Sequence, residues 1–165
     1  MKKKLFACLL SAAMVLSLAA CGGTTETETT DTEGSDSEGQ TYTIGVIQQM
    51  QHEALDAATQ GFQDAVAELF GDQASVEVQN ASGEAANCST IVGSFVSSGV
   101  DLIMANGTTA LQSAAAATTT IPILGTSITE YGVALGIDGF TGTTGMNVSG
   151  TSDLAPLDQQ GAMLQ

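Results

Sequence analysis

The feature that most restricts the fold of this chain is a rhythm between residues 41 and 151. A short apolar run gives way to a stretch whose apolar residues recur every three or four positions, and then an apolar run returns. TYTIGVIQ (41–48) reads as a buried strand through Ile44, Val46 and Ile47. Leu55, Ala58, Phe62, Val66 and Leu69 follow at the spacing of an amphipathic helix, closed by Gly71. SVEVQN (75–80) alternates as a second strand. Cys88, Ile91, Val92, Phe95 and Val96 form the next helical stripe, ended by Gly99. VDLIMAN (100–106) is a third strand, Thr109 to Thr118 an alanine-rich helix that packs closely, and IPILGTS (121–127) a fourth strand. A glycine-rich loop leads to a short fifth strand, NVSGT (147–151). Strand and helix in alternation predict right-handed crossovers, hence an α/β fold: a parallel sheet with helices on both faces.

In such sheets ligands bind beyond the carboxyl ends of the strands. Those ends are Gln48-Gln49-Met50-Gln51, Asn80-Ala81-Ser82, Asn106-Gly107-Thr108-Thr109, Thr126-Ser127-Ile128-Thr129 and Gly150-Thr151-Ser152. They are rich in amide and hydroxyl groups and hold no Lys or Arg. Asn106 to Thr109 is the foremost candidate: a strand ends, a glycine permits close backbone approach, and a hydroxyl residue opens a helix whose free N–H groups suit an anion. Ordinary helix capping accounts for the same residues, and both roles are compatible. His52 opens the first helix, either at the rim of a cleft or as a solvated first-turn residue. Glu130 and Tyr131 follow the fourth strand and either line a pocket or cap the next segment. Cys88, on an apolar stripe, reads as a small core residue. GFTGTTG (139–145) lacks the spacing of a nucleotide fingerprint and reads as a flexible turn.

Ahead of this region lie a basic head, Lys2 to Lys4, and an apolar run, Leu5 to Ala20, too short for the roughly 20 apolar residues of a membrane-spanning helix. Residues 1–20 therefore read as a secretory signal. Leu18-Ala19-Ala20-Cys21 resembles a bacterial lipobox. That resemblance implies that Cys21 becomes the lipidated N-terminus, and two acyl chains give the stable membrane anchoring that one does not. Residues 22–40 carry six acids (Glu26, Glu28, Asp31, Glu33, Asp36, Glu38) and no large apolar side chain, which is the composition of an extended, disordered leash.

Charge and cysteine counts exclude several functions. The chain has 18 Asp and Glu against 3 Lys and Arg, and all three basic residues lie in the signal. No basic side chain remains to neutralise phosphates, so nucleic acid is not an expected partner. With Cys8 in the signal and Cys21 lipidated, Cys88 stands alone and no intrachain disulfide is expected. A single histidine, His52, builds no histidine-cluster metal site, and no metal or cofactor is expected.

Three blocks, IGVIQQMQHEALDAATQGFQDAVAELFG, VEVQNASGEAANCSTIVGSFVSSGVDLIMANGTTALQSAAAATTTIPILGTSITE and NVSGTSDLAPLDQQ, resemble the solute-binding lipoproteins of ABC importers, and more narrowly those associated with tryptophan and tyrosine uptake. The resemblance covers nearly all of 43–165. It implies a type I periplasmic-binding-protein fold, in which two flavodoxin-like lobes hold the ligand between them. Residues 41–150 would be the first lobe, SGTSDLAP a hinge crossing, and Leu157 to Gln165 the start of a helix in a second lobe that this chain does not complete. The family's ligand-facing loops fall on Gln48, Gln49 and His52; on Asn80; on Asn106, Gly107, Thr108 and Thr109; and on Ser127, Thr129 and Glu130. Family members often have a proline after the first helix-capping residue, at Thr109 and at Glu53 or its neighbour, which His52-Glu53-Ala54 and Thr108-Thr109-Ala110 lack, and Thr-Asp-Pro where this chain has Thr129-Glu130-Tyr131.

The implied role is an extracytoplasmic receptor that captures a small solute, such as an amino acid, and delivers it to an ABC permease without making or breaking a bond. An amino acid's carboxylate would meet a helix N-terminus at Thr108 or Thr129. Its ammonium would meet an acid, Glu130 or one in the second lobe, and Tyr131 is the nearest aromatic candidate for stacking. A sensing lipoprotein is a second reading. An extracytoplasmic hydrolase is a third, but it lacks the nucleophile elbow G-x-S-x-G.

Overall fold

The computed structural model describes residues 40–155, 162 and 163. The signal, Cys21, the leash up to residue 39 and nearly all of the expected second-lobe helix lie outside the described residues. Five strands form one sheet: β1 (Tyr42–Gln48), β2 (Ala74–Asn80), β3 (Leu102–Asn106), β4 (Ile123–Ile128) and β5 (Val148–Ser152). Every pairing is parallel, in the order β2-β1-β3-β4-β5. Four helices connect them: α1 (Glu53–Phe70), α2 (Ala85–Ser98), α3 (Thr108–Ala117) and α4 (Tyr131–Leu135), with a short 3-10 turn at Gly71–Gln73.

Burial follows this order. Ile44 to Gln48 of β1 and Ile103 to Asn106 of β3 are buried without interruption, as strands flanked on both sides and covered on both faces must be. The outer strands β2 and β5 are mostly exposed. The chain runs from β1 to β2 through α1 and then returns past β1 to β3 through α2. Because crossovers keep one hand, this reversal sends α1 to one face of the sheet and α2 to the other.

The α2, α3 and α4 face is the larger core. Phe95, Ile47, Ile103, Leu111 and Ile123 are buried there, with Cys88 and Val92 between the helices. The Phe95 ring lies so close to β1 that a Cβ on Gly45 would meet it at 2.7 Å, so the glycine there is a packing requirement. Burying a ring of this kind contributes about 1.5–3 kcal/mol relative to leaving it exposed. On the opposite face α1 packs alone over Ile44, Val46 and Met104. Beside it runs an apolar trough of about 540 Å³ lined by Tyr42, Phe62, Leu69, Phe70, Leu102 and Leu124 among others.

Two expectations need correction. The stripe assigned to α1 is not buried along its whole length, because Leu69 is 76 % exposed where none of the described elements covers the end of that face. The segment after β4 is not all loop. It contains α4, a helix of five residues too short to register as a stripe, and the Glu130 side chain starts it by accepting from the Gly132 and Val133 N–H groups at 2.8 and 2.6 Å. Among the described residues no helix is long and apolar enough to cross a membrane.

Candidate functional site

The strand ends form a single row. Gln48 is in register with Asn80 on one side and Asn106 on the other, and Asn106 with Thr126; Ile128 and Ser152 pair further along. The loops leaving this row are tied together by backbone hydrogen bonds. Gln49 N donates to Asn106 O (3.0 Å), Ala81 N to Gln48 O (2.9 Å), Gly83 N to Gln49 O (2.8 Å), and Gly107 N to Thr126 O (3.0 Å). The loops after β1, β2, β3 and β4 therefore emerge as one polar edge, with the reversal of strand order between β1 and β3 at its centre.

Each candidate side chain has a definite place on this edge. His52 caps α1, its Nδ1 accepting from Ala54 N at 3.2 Å, and is exposed. Gln49 reaches across to α3, where its Oε1 accepts from Thr109 N at 2.9 Å. It lies over Gly107, whose φ of 110° and whose missing Cβ (which would stand 2.7 Å from Gln49 Oε1) both require glycine. The α3 terminus is thus closed by a side chain distant in sequence, and Gly107 itself makes no side-chain cap. Asn80 is exposed, and its Oδ1 accepts from Ser82 N at 2.8 Å. Thr108 and Thr109 are half-buried, as is Ser127; Thr129 is exposed.

Gln48 and Asn106 point inward. Both are buried beneath α1, where Thr59 Oγ1 donates to Gln48 Oε1 (2.7 Å) and Asn106 Nδ2 donates to Leu55 O (2.7 Å) and Thr59 Oγ1 (3.0 Å). Gln48 Nε2 donates to Asp56 Oδ1 (2.5 Å) and Met50 O (2.8 Å). Thr59 and Asp56 were missed in the sequence. The available signal was a hydroxyl residue one position after Ala58, inside the buried arc of the α1 stripe.

Two backbone positions add an independent mark. Ser82 (φ 55°) and Ser127 (φ 56°) occupy the left-handed region that non-glycine residues rarely adopt, and both are on this edge. Such strain gathers where a loop is held for a purpose. Tyr131, considered above as a stacking aromatic, is instead 7 % exposed. Its hydroxyl is 2.9 Å from Gly125 O and 3.2 Å from Thr151 O, so it pins β4 to β5 inside the core. Burial, with the negative charge of Asp153, raises its pKa above the ordinary tyrosine value. Cys88 is a buried, unbridged thiol whose pKa burial also raises, against a smaller lowering from a backbone hydrogen bond, which suits a core residue. Among the described residues no group of three His, Cys, Asp or Glu side chains is placed to hold a metal ion. The apolar trough lies away from the strand ends, whereas a hollow of about 280 Å³ under the 140–150 loop reaches them at Gly150 and another of about 390 Å³ beside α4 is lined by Glu130.

Comparison with known proteins places this architecture. Residues 43–165 match the ABC transporter substrate binding protein family. A curated relative, the tyrosine-binding protein of Clostridioides difficile (strain R20291), is 37 % identical over 119 residues, covering 70 % of this chain and 34 % of its own length. Among solved structures, a ligand-free, open substrate binding protein with adhesive properties from Clostridium difficile is 35 % identical with a TM-score of 0.68, over 74 % of this chain and 42 % of its own. An ABC domain in complex with L-Trp from the pneumococcal Streptococcus is 32 % identical with a TM-score of 0.67, over 73 % and 41 %. A conserved domain protein from Vibrio cholerae O1 biovar El Tor is 30 % identical with a TM-score of 0.69, over 76 % and 43 %. The chain thus spans about a third of the curated relative and about two fifths of each solved one. With the family match over residues 43–165, and the fold shared with solved substrate-binding proteins, this chain belongs to the ABC transporter substrate-binding protein family.

Proposed function

We propose that this chain supplies the first lobe of an extracytoplasmic receptor for an ABC importer, a receptor that captures an aromatic amino acid and presents it to a membrane permease. The observation that carries the reading is the in-register polar row at the carboxyl edge, Asn80, Gln48, Asn106 and Thr126, in a chain of this family. A tyrosine-binding relative and a neighbour crystallised with L-Trp support the choice of solute. A second lobe forms the facing wall, and hinge closure traps the solute.

On this edge the solute carboxylate meets the first N–H groups of α3 at Thr108 and Thr109 and displaces the Gln49 amide from Thr109. His52, Asn80, Ser127 and Thr129 line the rim. Each Glu130 carboxylate oxygen accepts one N–H in starting α4 and keeps a further acceptor site, so Glu130 or an acid on the facing lobe receives the solute ammonium. The receptor is held at the outer membrane face by acyl chains on Cys21, with residues 22–40 as the tether.

Calorimetry with L-tyrosine and L-tryptophan tests the reading on the complete gene product and on residues 41–165 alone. The complete protein is expected to bind at least one of them, and 41–165 weakly or not at all. Absence of binding by the complete protein overturns the choice of solute, and equal tight binding by both overturns the two-wall cleft. Metabolic labelling with palmitate is expected to mark the wild type and not Cys21→Ser; equal labelling of both removes the anchor.

A further inference from the structure

The residues at the centre of the row that point away from solvent form a directed chain of hydrogen bonds, and its direction is set by the available donors and acceptors. Asn106 Nδ2 faces the Leu55 carbonyl at 2.7 Å, an acceptor only, so the amide orientation is fixed with nitrogen toward α1. Its second N–H then reaches Thr59 Oγ1 (3.0 Å), which leaves the Thr59 hydroxyl proton to go to Gln48 Oε1 (2.7 Å). That in turn leaves the Gln48 amide N–H groups for Asp56 Oδ1 (2.5 Å) and Met50 O (2.8 Å). The chain joins the tips of β1 and β3 to the first two turns of α1, and through Met50 to the loop that carries Gln49 and His52. Asn106 Oδ1 is buried and has no hydrogen-bond partner among the described residues. A group kept for packing alone would not leave a buried acceptor unsatisfied, since that costs free energy that an apolar side chain of similar shape avoids.

We propose that Thr59, together with Gln48 and Asn106, is a positioning residue of the solute site. The three side chains set the loop 49–52 and the α3 entrance at 107–109 in the arrangement that receives a solute, without touching it themselves. The proposal rests on the receptor reading above and names how that site is held. Thr59 links the two amides because it both accepts from Asn106 and donates to Gln48. Thr59→Val keeps the shape and removes both bonds, whereas Thr59→Ser restores the hydroxyl.

The test measures binding of L-tyrosine and L-tryptophan to the complete protein by calorimetry, and amide hydrogen exchange of residues 49–55 and 107–109 without solute. Thr59→Val is expected to weaken binding about tenfold, the scale of one or two lost buried hydrogen bonds, and Thr59→Ser to return it to within about twofold. In Thr59→Val the two loops exchange faster while β1 and β3 amides stay protected. Val66→Ala, a core truncation on the same helix away from the edge, is expected to lower the melting temperature and leave affinity unchanged. Asn106→Leu removes the orphaned acceptor, so it is expected to melt near the wild-type temperature and still bind more weakly. Wild-type loop exchange in Thr59→Val overturns the proposal, as does an affinity loss in Val66→Ala equal to that in Thr59→Val. If the wild type binds neither amino acid while Thr59→Val still accelerates loop exchange, the choice of solute fails and the positioning role stands.

Discussion

The two faces of the sheet are finished in opposite ways. On the α2, α3 and α4 face the centre is closely packed, down to a glycine in β1 that makes room for the Phe95 ring, and a hollow is left toward the 140–150 loop. The α1 face is divided along the strands. Its amino-end half is an apolar trough in which Tyr42 and Phe70 meet edge to face at 6.4 Å, and its carboxyl-end half is a hydrogen-bonded amide and hydroxyl cluster. The first face holds the fold together. The second ends in polar loops whose positions are fixed by directed bonds, and directed bonds specify geometry more sharply than apolar contact does.

The largest effect expected to sharpen this contrast is in the packed face. Phe95→Ala should lower unfolding free energy by about 3–5 kcal/mol in a denaturant titration, because the surrounding helices cannot close the void. A loss under about 1 kcal/mol would show that this face is as loose as the other. Next comes Gly107→Ala at the polar edge, where a side chain meets both a positive φ and Gln49. Its expected loss is about 1–3 kcal/mol, with weaker solute binding by the complete protein. Unchanged binding would separate the α3 entrance from the site.

A pH effect of the packed face follows. Cys88 and Tyr131 both have folded pKa values raised by burial. Well below the unfolded thiol's ordinary pKa of about 8.5, both groups are neutral in the folded and unfolded chain, and stability is unaffected by them. Above it the unfolded thiol ionises first, so stability falls as pH rises toward the folded value, and Tyr131 adds a second decline from about pH 10. Denaturant titrations from pH 7 to 11 should show the first decline absent in Cys88→Ala and the second absent in Tyr131→Phe. The smallest effect belongs to the trough: Leu69→Ala should change stability by no more than about 0.5 kcal/mol, since the side chain is already 76 % exposed. A loss above about 2 kcal/mol would mean that the trough is covered in solution.

Much of the architecture was legible because the core strands and the longer helices have strong periods. The apolar run Ile44 to Ile47 marked β1 as a buried strand, the alternation at Val76 and Val78 marked β2 as a strand, and the first three helices stopped within a residue or two of their expected ends. Helix α4 was not legible, because five residues cannot display a helical repeat and its start depends on the Glu130 side chain. The strand-end row was legible as a set of loops, since a parallel sheet collects its carboxyl ends on one edge whatever the details. Which side chains face outward was not. Gln48 and Gln49 are neighbours of identical chemistry, and only the pleat decides that one turns under α1 while the other crosses to Thr109.

The sequence alone determined the parallel α/β sheet and the edge where its polar loops gather, because hydrophobic periodicity and crossover handedness are local properties that survive any detail of packing. Tertiary structure decided the partners of each amide and hydroxyl: Thr59 with Asn106, Gln49 with α3, Tyr131 with β4 and β5. Those pairings join residues far apart in the chain, and a hydrogen bond's direction depends on coordinates that no spacing of residue types encodes.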